Sequence, residues 1–136
     1  MARLIETSLW VDFFRKKSPR ALKEIIHPWV IDPAACLCEP VAFEVLRHAT
    51  AAERPLIREQ FETIPFLPTP AKLWRDAATL GQTCRDNGHT AGSLDLIIAT
   101  IALHHEAELI TLDADYAAIA ELSPLRVQLL TRPNAT

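Results

Sequence analysis

Short extended apolar runs alternate along this chain with longer stretches in which apolar residues recur every three or four positions. Arg3-Leu4-Ile5 is the first extended run. Thr7-Ser8 then supplies N-cap chemistry for a helix whose apolar positions are Leu9, Trp10, Phe13 and Phe14, and Arg15-Lys16-Lys17 closes it with charges suited to a helix C-terminus. Ser18-Pro19 opens a second helix, expected to run to about His27. A weak strand pattern follows at Ala35-Cys36-Leu37-Cys38. Glu39-Pro40 begins a helix with Val41, Val45, Leu46 and Ala49 on one side, and another runs from about Glu53 to Phe61. Ile64-Pro65-Phe66-Leu67 reads as a proline-interrupted edge strand or loop. From Pro70 to Arg85, Leu73, Ala77, Leu80 and Cys84 form a helical stripe that Asn87-Gly88 stops. The most regular helix spans Ser93 to His105. Glu108-Leu109-Ile110-Thr111-Leu112 is a strand, Asp113-Ala114-Asp115 a loop at its end, and a short helix and the strand Val127-Gln128-Leu129-Leu130 complete the pattern. Strands alternating with helices predict an α/β fold in three layers, α/β/α, with a mostly parallel central sheet.

Composition narrows the picture. A chain of 136 residues is expected to form one domain over 1–136, with enough apolar content (49%) for a self-sufficient core. No apolar run approaches the roughly 18 residues of a membrane span, and the opening residues lack the apolar region of a signal peptide, so a cytoplasmic location and no membrane partner are expected. Cys36, Cys38 and Cys84 lack zinc-ligand spacing and read as buried, reduced thiols. A net charge of −3 argues against a broad nucleic-acid-coating surface, but not against an enzyme that grips phosphates locally through a metal ion.

The topology gives certain carboxylates their meaning. In open α/β sheets, ligands bind beyond the carboxyl ends of the strands, where the strand order reverses. Glu6 stands at the carboxyl end of the first strand and Asp113 at that of the strand containing Ile110, so two acids distant in sequence are expected to meet. Asp95 opens the most apolar helix, where it is either a dipole-stabilising residue or part of the same pocket. Glu44 sits inside an apolar helix, either paired with Arg47 or His48 at helical spacing or facing the same pocket. Hard oxygen donors without soft ones select Mg²⁺ or Mn²⁺ over zinc. Such an ion would relieve repulsion among the acids and acidify a water for phosphodiester hydrolysis.

Leu4-Ile5-Glu6-Thr7-Ser8-Leu9-Trp10-Val11-Asp12-Phe13-Phe14 resembles the opening of VapC-like PIN domains, in which an aspartate normally stands at the Glu6 position. Pro40-Val41-Ala42-Phe43-Glu44-Val45-Leu46 is similar to their first-helix glutamate motif, Asp95-Leu96-Ile97-Ile98-Ala99-Thr100-Ile101-Ala102 to their third acidic motif, and Leu109-Ile110-Thr111-Leu112-Asp113-Ala114-Asp115-Tyr116 to their last, which usually ends in an aromatic residue. The four motifs occur in the family's order across nearly the whole chain. The resemblance implies a PIN-like fold and a metal-dependent endoribonuclease, the toxin half of a VapBC-type toxin–antitoxin pair. It implies a homodimer silenced by a cognate VapB-like antitoxin, in a heterotetramer or larger assembly. It makes Glu6, Glu44, Asp95 and Asp113 the catalytic acids, with Glu6, Asp95, Asp113 and Asp115 around the metal and Ser8 orienting the first carboxylate. Asp115 reads equally as the cap of the helix at Tyr116. Glu6, a methylene longer than the family's aspartate, would displace the metal and weaken the activity. An attenuated or inactive PIN domain that binds antitoxin or RNA is the alternative.

Arg15, Lys16 and Lys17, with Arg20 and Lys23, form the densest basic patch, read either as an RNA phosphate contact or as a solvated helix end. Arg85 and His89 flank the turn before Asp95 and are candidates for substrate contact. His104 and His105 read as helix-end residues, Trp10 and Phe14 as core, and Trp29 and Trp74 as core or interface. A phosphoryl-transfer receiver also gathers acids at strand ends, but would need a phospho-accepting aspartate after a middle strand and a lysine after a late one. Neither is visible.

Overall fold

The computed structural model describes residues 1–134. Four strands, β1 (Arg3–Ile5), β2 (Ala35–Cys36), β3 (Glu108–Thr111) and β4 (Arg126–Leu129), form one sheet in the order β2-β1-β3-β4. All pairings are parallel, with Leu4 opposite both Cys36 and Leu109, and Ile110 opposite Gln128. Among the described residues seven helices surround the sheet: α1 (Thr7–Phe14), α2 (Arg20–Val30), α3 (Glu39–His48), α4 (Glu53–Phe61), α5 (Leu73–Asp86), α6 (Ser93–His104) and α7 (Asp115–Glu121). The segment at Ile64-Pro65-Phe66-Leu67 is a loop with a single parallel bridge from Phe66 to Leu37.

The two central strands read as continuous apolar runs because both faces are covered. Leu4, Ile5, Leu109 and Ile110 are fully buried, whereas β4 is an exposed edge. The connection from β1 to β2 runs one way across the sheet and that from β3 to β4 runs the other. Right-handed crossovers in opposite directions place α1–α2 and α7 on opposite faces, giving the α/β/α layering. The strand order therefore reverses between β1 and β3, where a crevice opens at the carboxyl ends. Trp10, fully buried, donates its indole N–H to the Ile5 carbonyl at 3.1 Å and packs against Phe14 and Phe61, fixing α1 to the end of β1. At the opposite end of the sheet, Arg3 bridges Asp32 at 2.6 Å and Glu108 at 3.3 Å. After β4 the chain turns back, and Arg132 reaches Asp12 of α1 at 2.7 Å.

Several local details differ from the sequence pattern. The N-cap of α1 is Glu6, with Thr7 and Ser8 already helical. Arg15, Lys16 and Lys17 follow the last turn of α1 rather than lying in it, and all three are exposed. The second helix passes His27 and carries Pro28 to end at Val30. A proline there removes one hydrogen bond, while the extra turn buries Val30 beside Ile26. Asp115 is the first residue of α7 rather than a loop residue. Trp74 is 73% exposed, so it is no part of the core. The three cysteines are free and buried, as expected. At the end of α6, Glu106 takes a left-handed φ of 54° so that the Ala107 N–H can return to the Ala102 carbonyl at 2.9 Å. Among the described residues no helix is long and apolar enough to cross a membrane.

Candidate active site

The crevice between β1 and β3 collects the acids by simple geometry. Glu6 follows β1 directly, and its backbone N–H donates to the Ile110 carbonyl at 2.9 Å, which locks the two strand ends together. Asp113 follows β3 by two residues, and its Oδ1 accepts the Asp115 N–H at 2.9 Å, folding the chain sharply into α7. Asp115 therefore does not cap the helix with its own side chain; its backbone N–H is instead held by the Asp113 carboxylate. Asp95 arrives from the first turn of α6, an acidic position that complements the helix dipole.

Carboxylate oxygens of Asp95, Asp113 and Asp115 lie within 4.8 Å of one another. Glu6 and Glu44 stand outside that group of three, though close enough for their charges to act on it. The donor set is all hard oxygen, graded from half-buried Asp95 and Asp113 to exposed Asp115. Six oxygens around Mg²⁺ at about 2.0–2.1 Å span at most about 4.2 Å. The exposed Asp115 side chain has the freedom to close that small difference, so the three residues fit a hard divalent cation.

Glu6 is 4% exposed, and a single oxygen, Oε1, takes three hydrogen bonds. They come from the Ser8 hydroxyl at 2.6 Å, the Thr111 hydroxyl at 2.6 Å and the Ser8 backbone N–H at 3.1 Å. The two hydroxyls in turn accept the Leu112 and Asp113 backbone N–H groups, each at 2.9 Å. Glu6 therefore clasps the end of β1, the start of α1 and the end of β3. Burial raises its carboxyl above the ordinary range, against the lowering pull of Ser8 and Thr111, and the Asp113 charge raises it further. Burial likewise raises Asp95, opposed by a hydrogen bond from the Tyr116 hydroxyl and reinforced by the charges of Asp113, Glu44 and Asp115. Glu44 on α3 accepts the buried Thr7 hydroxyl at 2.7 Å, while Arg47 contacts His48 instead. Beneath the site Cys38 is buried, and its thiol is pushed up to about 12, leaving no thiolate to compete as a soft ligand.

Of the basic candidates, Arg15 leans toward Asp12 at 3.8 Å. Arg15, Lys16, Lys17 and Lys23 line a groove of about 780 Å³ with Phe14, His48 and Leu56, beyond the far end of α1 from the acids. Arg85 lies exposed in the last turn of α5 with no side-chain hydrogen bond among the described residues, and His89 is half-buried. Sequence reasoning missed Thr111, Thr7 and the hydroxyl of Tyr116. The first two read as ordinary strand and helix-start residues, and the third as an aromatic.

An all-parallel sheet of order β2-β1-β3-β4 with acids gathered at the β1–β3 crevice defines a class of protein, and sequence comparison agrees. Residues 3–122 match the family model of the PIN domain. The chain is 32% identical to ribonuclease VapC11 of Mycobacterium tuberculosis over 127 residues, 90% of this chain and 95% of that protein. It therefore belongs to the PIN domain family, and within it to the VapC-like group. Solved structures show the same fold at low identity. VapBC of Salmonella typhimurium, crystallised bound to DNA, aligns with a TM-score of 0.74 at 12% identity, covering 94% of this chain and 97% of that one. VapC20 of M. tuberculosis, a toxin described as cleaving the sarcin–ricin loop, aligns with a TM-score of 0.67 at 14% identity, covering 92% and 99%.

Proposed function

We propose that this chain is an endoribonuclease toxin of the VapC type, with a divalent cation, Mg²⁺ or Mn²⁺, at Asp95, Asp113 and Asp115. The observation that carries this reading is the approach of those three carboxylates to within 4.8 Å at the switch point of the sheet. When bound, such an ion acidifies a water and polarises a phosphate oxygen. Glu6, fixed through Ser8 and Thr111, holds the segments that carry the acids. Glu44, held by Thr7, adds negative charge at the rim. Relatives named as ribonucleases and fold neighbours crystallised as VapBC complexes support RNA as substrate and a VapB-like antitoxin as partner. The toxin is a homodimer, alone or in a larger complex with its antitoxin, and the basic groove of Arg15, Lys16 and Lys17, together with Arg85, offers phosphate contacts.

The test is RNA cleavage by the purified chain with Mg²⁺, with Mn²⁺ and with chelator, followed by sequencing of RNA ends. Asp95→Asn is expected to abolish cleavage with the fold intact. Equal cleavage by the variant, or cleavage indifferent to chelator, would overturn the proposal.

Glu6 favours a second reading, an attenuated or inactive nuclease retained as an antitoxin- or RNA-binding module. Its carboxylate is committed to three donors and stands outside the three-acid group. Glu6→Asp separates the two readings: a large gain in cleavage rate and metal affinity marks the parent as attenuated, and unchanged values mark the longer side chain as accommodated.

A further inference from the structure

We infer that Tyr116 is a positioning residue of the metal site, holding Asp95 at the distance from Asp113 and Asp115 at which the three can share one cation. This rests on the reading of those acids as a metal site. Three like charges in a half-buried crevice repel one another. Asp113 and Asp115 belong to one continuous turn, and the hydrogen bond from the Asp115 N–H to Asp113 Oδ1 fixes their relation. Asp95 comes from a different element, α6, so that hydrogen bond does not restrain it. Its one side-chain hydrogen bond among the described residues is the Tyr116 hydroxyl, which donates to Oδ1 at 3.1 Å.

The tether is built to be rigid. Tyr116 is fully buried in the apolar core and directly follows Asp115 in the first turn of α7. Consecutive residues thus approach the same cation position in two ways, one as a carboxylate and one as the donor that aims the opposing carboxylate. A phenylalanine would fill the same volume without the donor. The hydroxyl is therefore separable from the packing, and its effect belongs to the site rather than to the core.

The experiment compares Mn²⁺ binding, read by electron paramagnetic resonance of the free ion, in the parent chain, Tyr116→Phe and Asp95→Asn. Loss of one hydrogen bond to a charged group predicts affinity reduced about tenfold in Tyr116→Phe, with binding lost in Asp95→Asn. Parent and Tyr116→Phe binding equally would overturn the inference while leaving the metal site standing. A parent chain that binds no Mn²⁺ would remove the metal site and the inference together. Because the chain has a single tyrosine, 3-fluorotyrosine incorporation gives a second measurement that needs no variant. Titration with Mg²⁺ is expected to shift the one ¹⁹F resonance along the binding curve, and a resonance unmoved at saturation would sink the idea.

Discussion

Thr111→Val removes one hydroxyl from the centre of the Glu6 clasp and changes little else, since valine keeps the shape and the β-branched preference for a strand. Thr111 is fully buried. Its hydroxyl donates to Glu6 Oε1 at 2.6 Å and accepts the Asp113 N–H at 2.9 Å. A hydrogen bond to a charged group contributes about 1.5–3 kcal/mol, and a partly buried N–H left without its acceptor adds roughly 1 kcal/mol. The extra methyl returns about 0.8 kcal/mol. The net cost is about 2 kcal/mol, which for a chain of this size lowers Tm by about 8 °C. The loss should also depend on pH. Removing a donor raises the folded-state value of Glu6 further above its ordinary 4.5. The folded state then holds its proton more tightly than the unfolded chain, so stability falls as pH rises through that window. Calorimetry of metal-free parent and variant at about pH 5 and about pH 8 is the assay. The deficit should be smaller at the lower pH, where a larger share of Glu6 is protonated and needs the donor less. A variant that melts within 2 °C of the parent, or one whose deficit is the same at both pH values, refutes the clasp.

Further expectations follow from the same geometry. Because Glu6 and Asp95 both have raised folded-state values, first through burial, the metal-free chain should gain stability as pH falls from about 8 toward 5. Saturating Mn²⁺ should reverse that trend, since protons and metal compete for the acids; a metal-free Tm that falls over the same range would contradict it. Glu106→Gly relieves the left-handed φ at the end of α6 and should raise Tm by about 2–4 °C, a gain of roughly 0.5–1 kcal/mol; a lower Tm would show that the Glu106 side chain matters more than its backbone. Arg132→Ala leaves the buried Asp12 carboxylate, among the described residues, with only Arg15 at 3.8 Å and should cost on the order of 1 kcal/mol, discounted for the exposure of the arginine. That deficit should shrink in high salt, and one insensitive to salt would place the effect in packing.

Most elements were legible because their cause is local. The buried parallel strands announce themselves as unbroken apolar runs such as Leu109-Ile110, and Gly88, with φ 81°, stops α5 where the Asn87-Gly88 pair indicates. The approach of Asp95 to Asp113 was legible because strand ends and helix starts can be located from pattern alone. The bonds that aim them were not. Thr111 meets Glu6 across 105 positions of sequence and Tyr116 meets Asp95 across 21, and no local periodicity records a partner so distant. The exposure of Trp74 was equally hidden, since a tryptophan one place out of the Leu73 stripe looks apolar in any window. The second helix, expected to run to about His27, continues through Pro28 to Val30. A breaker ends a helix only where one lost hydrogen bond outweighs the side chains that the next turn buries.

The central place of β1 has a consequence for how the chain is made. Synthesis delivers β1 first, yet its neighbour on the crevice side, β3, comes after all of α1 to α6. The carboxylates of Asp113 and Asp115, the Thr111 hydroxyl and the Tyr116 tether all arrive in that last portion, within six consecutive residues. A nascent chain not yet extended to β3 carries Glu6, Glu44 and Asp95 without the partners that gather them. Translation that stops anywhere before β3 leaves a fragment without Thr111, Asp113, Asp115 and Tyr116, so the acidic cluster comes into being in a single late step.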